Sequence, residues 1–471
     1  MRESLAVRRL ALLDERRRRR AVLLAAILGS VVVFVDGTVV NVALPSIQDD
    51  LGGGLALQQW VVDAYLLTLG SLILVGGSLG DIFGERRIFA LGAGLFGVTS
   101  ILCALAPTGN ALIVARGCQG VAGALLTPAA LATITTTFSG PERGAAIGTW
   151  TAWTGIGTVL GPVVGGWLVG AASWRAIFLI NVPLVIATLG LIAVAVPPRA
   201  ASGRRRIDYV GCALCVSGLG ATVFALIEQP RRGWSDPLIV ATLAAGLALL
   251  PTFLVWEWRV DEPMMPLGLF ARRNFSVANV ETFAVYAALS TLTFFLALFL
   301  QQLAGYSPFE SGLALFPVTI ALFALSRPVG RASARIGPRA FMAAGPFLCA
   351  AGVAGLVGLD PGQSYWTGVF PPLVLFALGM GLVVAPLTTT VLADAGEGDA
   401  GIASGINNAV ARIAGLLGVA AVGVAAAGPA NALDVDGFHL AMAIVAALLA
   451  LGGLIGLVGI RNRPRAAVPA Q

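Results

Sequence analysis

The chain has 471 residues, of which 57% are hydrophobic and 11% charged, and its mean hydropathy is +0.88. Soluble domains carry about 25% charged residues, so this composition excludes a soluble globular protein and predicts a polytopic membrane protein. The net charge of +6 comes from 30 basic and 24 acidic residues, and all the basic ones are Arg. With no Lys, a Walker A phosphate cradle is excluded, because that loop ends in Gly-Lys-Ser/Thr.

An Arg-rich arm, 1–20, opens the chain. Apolar runs of about 20 residues then predict fourteen spans: 21–46, 58–80, 88–106, 110–137, 145–170, 174–197, 207–228, 237–258, 275–303, 309–326, 340–359, 366–392, 401–427 and 438–460. No signal-peptidase-like site follows the first, which is expected to be retained. Placing both termini in the cytoplasm puts 25 of the 30 Arg in cytoplasmic segments, the bias that sets membrane orientation. The basic charge therefore follows topology, and no nucleic-acid partner is expected.

The first bundle carries ionisable groups inside its spans. Asp36 lies 15 residues into span 1, roughly 22 Å from the inner end. Asp63 and Arg116 enter from the outer side and sit roughly 8 and 9 Å deep. A charge at such depth costs about 3 kcal/mol or more unless paired or hydrated. Their similar depth suggests a coupled acid–base cluster in which Asp36 binds a proton or a cationic substrate. The alternatives are a fixed Asp36–Arg116 ion pair and an Asp63 wetted near the surface. Gln119 shares a helix face with Arg116 at i, i+3 and either holds that Arg or meets substrate. Glu281, roughly 9 Å into span 9, either lines a cavity or is satisfied by cytoplasmic water. Arg412, near the middle of span 13 with Asn408 one turn earlier, serves structural pairing or substrate contact.

Other features read as structural. Trp60, Trp167 and Trp174 fit interfacial anchors, with Trp153 left as a cavity candidate, and His439 fits an interfacial position. Asp434-Val-Asp436-Gly437 lacks most ligands of a calcium loop. Cys212-x-x-Cys215 has no second ligand cluster, so no metal site is expected.

Gly157, Gly161 and Gly165 are spaced four apart and stack on one face of span 5, where a partner backbone can approach closely. Pro162 removes an N–H and favours a bend, and Gly166 completes the block. A second pattern, Gly77-Ser-Leu-Gly-Asp81-Ile-Phe-Gly84-Glu-Arg86-Arg87, follows span 2 and has a weaker echo at Gly330–Arg339 after span 10. If spans 7 and 8 are an insertion, the echo falls at the equivalent place. The chain then reads as an all-α membrane protein of two six-helix bundles plus two extra helices, an alternating-access architecture. Its segments are the arm 1–20, a first bundle 21–197, a cytoplasmic linker 198–206, the inserted pair 207–258, a second bundle 259–460 and a cytoplasmic tail 461–471.

Several stretches, in order, resemble the major facilitator superfamily and, more narrowly, its fourteen-helix drug/proton antiporter family. They are Val35-Asp36-Gly37-Thr38-Val39-Val40-Asn41-Val42-Ala43-Leu44-Pro45, the Gly77–Arg87 turn, Arg116-Gly-Cys-Gln119-Gly120, the Gly157–Gly166 block, Trp174–Pro183 and Gly305-Tyr306-Ser307-Pro308. The resemblance implies the major facilitator fold, proton coupling around Asp36 and Arg116, and an antiporter role for the glycine block as a seal between halves. It also implies a conformational latch of Asp81 with Gly77, Gly84, Arg86 and Arg87, Asp81 capping a helix of the opposite bundle near Gly401; a purely local salt bridge is the alternative. Two departures limit it. Ala334 replaces the acidic residue in the second copy, and Ile82 and Glu85 replace basic residues in the first.

The expected function is proton-coupled antiport exporting small amphipathic compounds such as drugs or antibiotics. The alternative is a same-fold transporter of a nutrient, amino acid or lipid with different coupling. An enzyme is not expected, for the sequence shows no nucleophile–base pair, and neither is a cofactor. The expected partners are a small amphipathic substrate, protons and the lipid bilayer, with a monomer as the assembly. The expected location is the bacterial plasma membrane.

Overall fold

The computed structural model describes residues 2–197, 207–395, 399–428 and 431–462. The expected linker 198–206 and most of the tail lie outside them. In chain order the helices are α1 (Arg2–Val39), α2 (Leu44–Leu51), α3 (Gly54–Phe83), α4 (Glu85–Ala104), α5 (Gly109–Thr137), α6 (Gly140–Ala171), α7 (Ala176–Leu179), α8 (Asn181–Ala195) and α9 (Tyr209–Arg232). They continue as α10 (Pro237–Arg259), α11 (Arg273–Leu298), α12 (Pro308–Ala314), α13 (Phe316–Ile336), α14 (Arg339–Ala354), α15 (Phe370–Ala395), α16 (Ala400–Ala426) and α17 (Val435–Gly459).

Among the described residues, thirteen helical spans are long and apolar enough to cross a membrane. The fourteenth expected span, 340–359, is shorter than its apolar run, because α14 stops at Ala354. Gly355 and Gly358 follow, and glycine disfavours helix continuation. Its 16 residues reach only about 24 Å.

Helix starts follow capping chemistry. Thr108 Oγ1 accepts from the Ala111 amide at α5 (3.3 Å), and Asp208 Oδ1 from that of Gly211 at α9 (2.8 Å). Asp434 Oδ1 accepts from Gly437 at α17 (2.7 Å), which accounts for the acidic cluster there without a metal. Asp236 caps α10 through the Leu238 amide (2.8 Å), and that bond, with Arg232 beside it, holds its carboxyl below the usual range.

The repeat seen in sequence has a structural counterpart. Gly84 ends α3 at φ +91° and Gly337 ends α13 at φ +97°, backbone conformations that glycine alone adopts freely. Two residues beyond each, an Arg turns back onto another helix. Arg86 Nη2 donates to Ala193 O near the end of α8 (3.0 Å), and Arg339 Nε donates to Leu457 O near the end of α17 (2.7 Å). Each guanidinium thus meets the negative end of a helix dipole.

Two compact units result. One comprises Met1–Met265, Leu300–Leu313 and Pro429–Ala432; the other comprises Pro266–Phe299, Ala314–Gly428 and Leu433–Gln471. The inserted pair falls in the first unit, and so does 300–313. α9 lies on α3, where Trp60 Nε1 donates to Glu228 Oε1 (3.0 Å) and the Trp60 and Phe224 rings stand 6.2 Å apart. α10 then packs on α9 at Gly246, where an added Cβ would come within 2.8 Å of the Thr222 amide nitrogen. Segment 300–313 is held by Gln301, whose Nε2 donates to Val42 O (3.0 Å).

Candidate functional site

Asp36 is fully buried in α1, and Arg116, in α5, is 1% exposed. Arg116 Nη1 donates to Asp36 Oδ2 at 2.5 Å, so the two form a direct ion pair. Gln119 lies one turn beyond Arg116 and touches both partners. Its Oε1 accepts from Arg116 Nη1 (2.6 Å), while its Nε2 donates to Asp36 Oδ1 (2.9 Å) and Ser100 Oγ (2.9 Å). Asn181, at the start of α8, donates from Nδ2 to the same Asp36 Oδ1 (2.9 Å) and to Ser100 Oγ (3.2 Å). The carboxylate therefore receives three donors from two further helices, with α4 supplying Ser100.

The cation is held equally closely. Arg116 Nε donates to Val61 O (2.9 Å), and the guanidinium lies 4.2 Å over the Tyr65 ring and 5.7 Å from that of Phe178. Tyr65 in turn donates its hydroxyl to Val33 O (3.1 Å), tying α3 to α1 just ahead of Asp36. Burying an ion pair costs several kcal/mol per ion, recovered only where further hydrogen bonds and good geometry accompany it. Here both are present. Gln119 bridges the two charges, bonded to both.

Asn181 and Ser100 were not among the sequence candidates. A single amide in an otherwise apolar run was the available signal for Asn181, while a lone serine in a transmembrane helix carries almost none.

Asp63 does not join this hydrogen-bonded cluster. It is fully buried, and neither carboxylate oxygen has a hydrogen-bond partner. It falls on the face of α3 that carries Trp60 (i−3) and Leu67 (i+4), both directed to α9. Equal depth along the membrane normal therefore did not mean a shared hydrogen-bond network.

In the second unit, Glu281 is also fully buried with both oxygens unpartnered. Gly456 makes room for it, since a Cβ there would lie 2.9 Å from Glu281 Oε2. Arg412 lies part-buried on α16. It is Asn407, rather than Asn408, that forms a network, donating to Asn279 Oδ1 (3.2 Å) and Thr282 Oγ1 (2.8 Å).

The glycine face of α6 is filled by α1. An added Cβ at Gly157 would meet Val31 Cγ1 at 3.1 Å and Val35 Cγ2 at 3.3 Å, and one at Gly161 would collide with Thr38 Oγ1. At Gly165 it would come within 3.0 Å of Val39 O. These contacts involve α1 residues on both sides of Asp36 in the chain. Past the bend residue, Gly166 and Pro162 pack instead on 308–312, where Cβ atoms added at Gly166 and Gly312 would lie 2.7 Å from Phe309 Cα and Pro162 C. α6 nevertheless runs unbroken through Pro162.

In the turn motif, Asp81 and Arg87 are exposed, Arg86 binds α8 as described, and Glu85 Oε2 accepts from Thr136 Oγ1 (2.9 Å). Gly77 has ordinary space, with Pro128 3.8 Å from an added Cβ. Trp153 is 51% exposed and lines no described cavity, whereas Trp60 does. No group of three metal-ligating side chains occurs among the described residues.

A buried Asp–Arg pair thus sits at the junction of α1, α4, α5 and α8. The family model described as Major Facilitator Superfamily matches residues 26–419. The chain belongs to the major facilitator superfamily. Among curated relatives, the puromycin resistance protein pur8 of Streptomyces alboniger is 37% identical over 92% of this chain and 90% of its own. The cephamycin export protein CmcT of Amycolatopsis lactamdurans is 36% identical over 82% of this chain and 81% of its own. The tetracenomycin C resistance and export protein of Streptomyces glaucescens is 35% identical over 85% and 74%.

Solved structures share the superfamily fold at low identity. A peptide transporter POT in complex with sulfate superposes with a TM-score of 0.69 at 14% identity, covering 94% of each chain. The xylose transporter XylE from E. coli gives 0.64 at 13%, covering 93% of this chain and 97% of its own. The protein is thus a multi-pass membrane protein of a transporter superfamily, with the Asp36–Arg116 pair at the core of its first unit.

Proposed function

We propose that this superfamily member is a proton-coupled exporter of small amphipathic compounds, drugs or antibiotics, working by alternating access as a monomer without catalysing a chemical transformation. The resistance and export roles named for its relatives support the substrate class. The observation that carries the coupling step is the Asp36 carboxylate, dry and held by Arg116, Gln119 and Asn181.

In the deprotonated state Arg116 and the two amides lock α1 to α5 and α8. A proton arriving on Asp36 cancels the attraction to Arg116 and gives the carboxyl an O–H where it had only accepted. The lock loosens, and α1 is freed to shift against the glycine face of α6, which it contacts at Val31, Val35, Thr38 and Val39. Deprotonation on the other side restores it. Asp63, Glu281 and Arg412 are assigned to the coupling and substrate path, and Asp81, with its turn, to a latch that holds one conformation. The glycine block, through α1 and 308–312, is assigned to sealing the path against proton leak.

The test is efflux from energised cells of an efflux-deficient host preloaded with a fluorescent amphipathic cation. Export that a protonophore abolishes is the expected result. Export that persists at full rate without a proton gradient would overturn the coupling.

A further inference from the structure

A cavity of about 490 Å³ opens in the first unit, away from the Asp36–Arg116 pair, between α3, α5 and the inserted α9. Its size is that of a small-molecule site. On the topology read from the Arg distribution, its walls are the outer ends of these helices, at headgroup depth. Leu57, Ile113 and Phe224 make the wall apolar, and the Trp60 indole stands beside Phe224.

Two opposite charges share the rim. Glu228 is 11% exposed at its side chain, with Oε1 accepting from Trp60 Nε1 (3.0 Å), so the carboxylate is fixed in place. Arg231, 55% exposed, reaches Glu228 Oε2 from Nη1 at 3.3 Å, and Arg232, whose Nε stands 3.8 Å from the same oxygen, is itself paired with Asp236 (3.3 Å). Beside them are the first-turn amides of α5 at Gly109 and Asn110, which have no intrahelical acceptor and carry the positive end of the helix dipole. A simple cation would meet Arg231 here, and a simple anion would meet Glu228. A zwitterion lying antiparallel to the Glu228–Arg231 pair satisfies both.

We infer that this cavity binds a zwitterionic phospholipid headgroup, specifically phosphatidylethanolamine. The primary ammonium donates to Glu228 over the Trp60 face, where cation–π attraction adds. The phosphodiester lies against Arg231 and the α5 amides, and the glycerol and acyl origin rest on Leu57, Ile113 and Phe224. The inserted pair, which supplies Phe224, Glu228 and Arg231, thereby acquires a role as the outer wall of a lipid site. The assignment stands apart from the export proposal, since neither Asp36 nor transport enters it.

The test is native mass spectrometry of the purified full-length protein, delipidated and titrated with phosphatidylethanolamine, phosphatidylcholine or phosphatidylglycerol. The wild type is expected to retain one phosphatidylethanolamine about tenfold more tightly than either other lipid, the scale of one charge-assisted hydrogen bond. Phosphatidylcholine lacks the N–H donors, and phosphatidylglycerol lacks the cation. Glu228→Gln, which keeps an acceptor for Trp60, and Arg231→Ala, at a half-exposed position, should each abolish that preference without lowering thermal stability. Equal retention of the three lipids by the wild type, or an unchanged preference in both variants, overturns the inference. Displacement of the lipid by free phosphoethanolamine at equal concentration overturns its lipid part.

Discussion

Asp36→Asn tests the buried pair directly. Asn is isosteric but brings one acceptor and an NH2 in place of two acceptors. With either orientation of the amide, that NH2 faces a donor: Arg116 Nη1 on one side, or the Gln119 and Asn181 amides on the other. Arg116 meanwhile stays 1% exposed and loses its counter-charge. Removing one partner of a buried pair costs about 3–5 kcal/mol, most of it from the stranded charge. Adding Arg116→Gln removes that charge, so the double variant should be more stable than Asp36→Asn alone. SDS-induced unfolding in mixed micelles, run on wild type, both single variants and the double, gives the coupling energy from the cycle. Export in the cell assay should vanish in all three variants while insertion continues. A coupling energy below about 0.5 kcal/mol, the size of ordinary non-additivity between distant sites, would refute a dry, direct pair. Normal export by Asp36→Asn would refute its coupling role.

Gly161→Leu should overpack the α1–α6 contact by about 1–3 kcal/mol and allow proton leak in vesicle pH-gradient measurements, with the profile of exported compounds unchanged; an altered profile would place the glycine in the substrate site. Asn181→Ala should lower export and cost about 1–3 kcal/mol by leaving Asp36 and Ser100 short of a donor, and Asn181→Gln should not restore it, because the added methylene moves Nδ2 off its position. Glu281→Gln should leave unfolding unchanged, since neither carboxylate oxygen has a hydrogen-bond partner to lose, yet reduce export; unchanged export would leave Glu281 a packing residue beside Gly456. Arg86→Ala and Arg339→Ala, each losing a bond to a helix-end carbonyl, should each destabilise by about 1 kcal/mol, and a difference of several kcal/mol between them would argue against equivalent turns.

Thirteen of the fourteen expected spans, the duplicated turn and the glycine face were legible in the sequence. Hydropathy over about 20 residues, positive-φ glycines and a four-residue spacing are local properties of a helix or a turn. So was the candidacy of Asp36, Arg116 and Gln119, because a charge in an apolar run requires an explanation wherever it falls. What the chain order did not contain was direction around each helix axis. Depth along the membrane is counted from residue numbers, but Asp63 sits at the depth of Asp36 and turns to α9 instead. Asn407, not Asn408, meets its partners for the same reason, a difference of about 100° per residue. Asn181 and Ser100 became visible only when α8 and α4 closed on α1. The inserted pair reads in sequence only as two extra helices, yet packing joined Glu228 to Trp60 and lined a charged cavity. Composition and periodicity determine which segments leave water. Only the packing of helix on helix decides which polar groups are then left to satisfy one another.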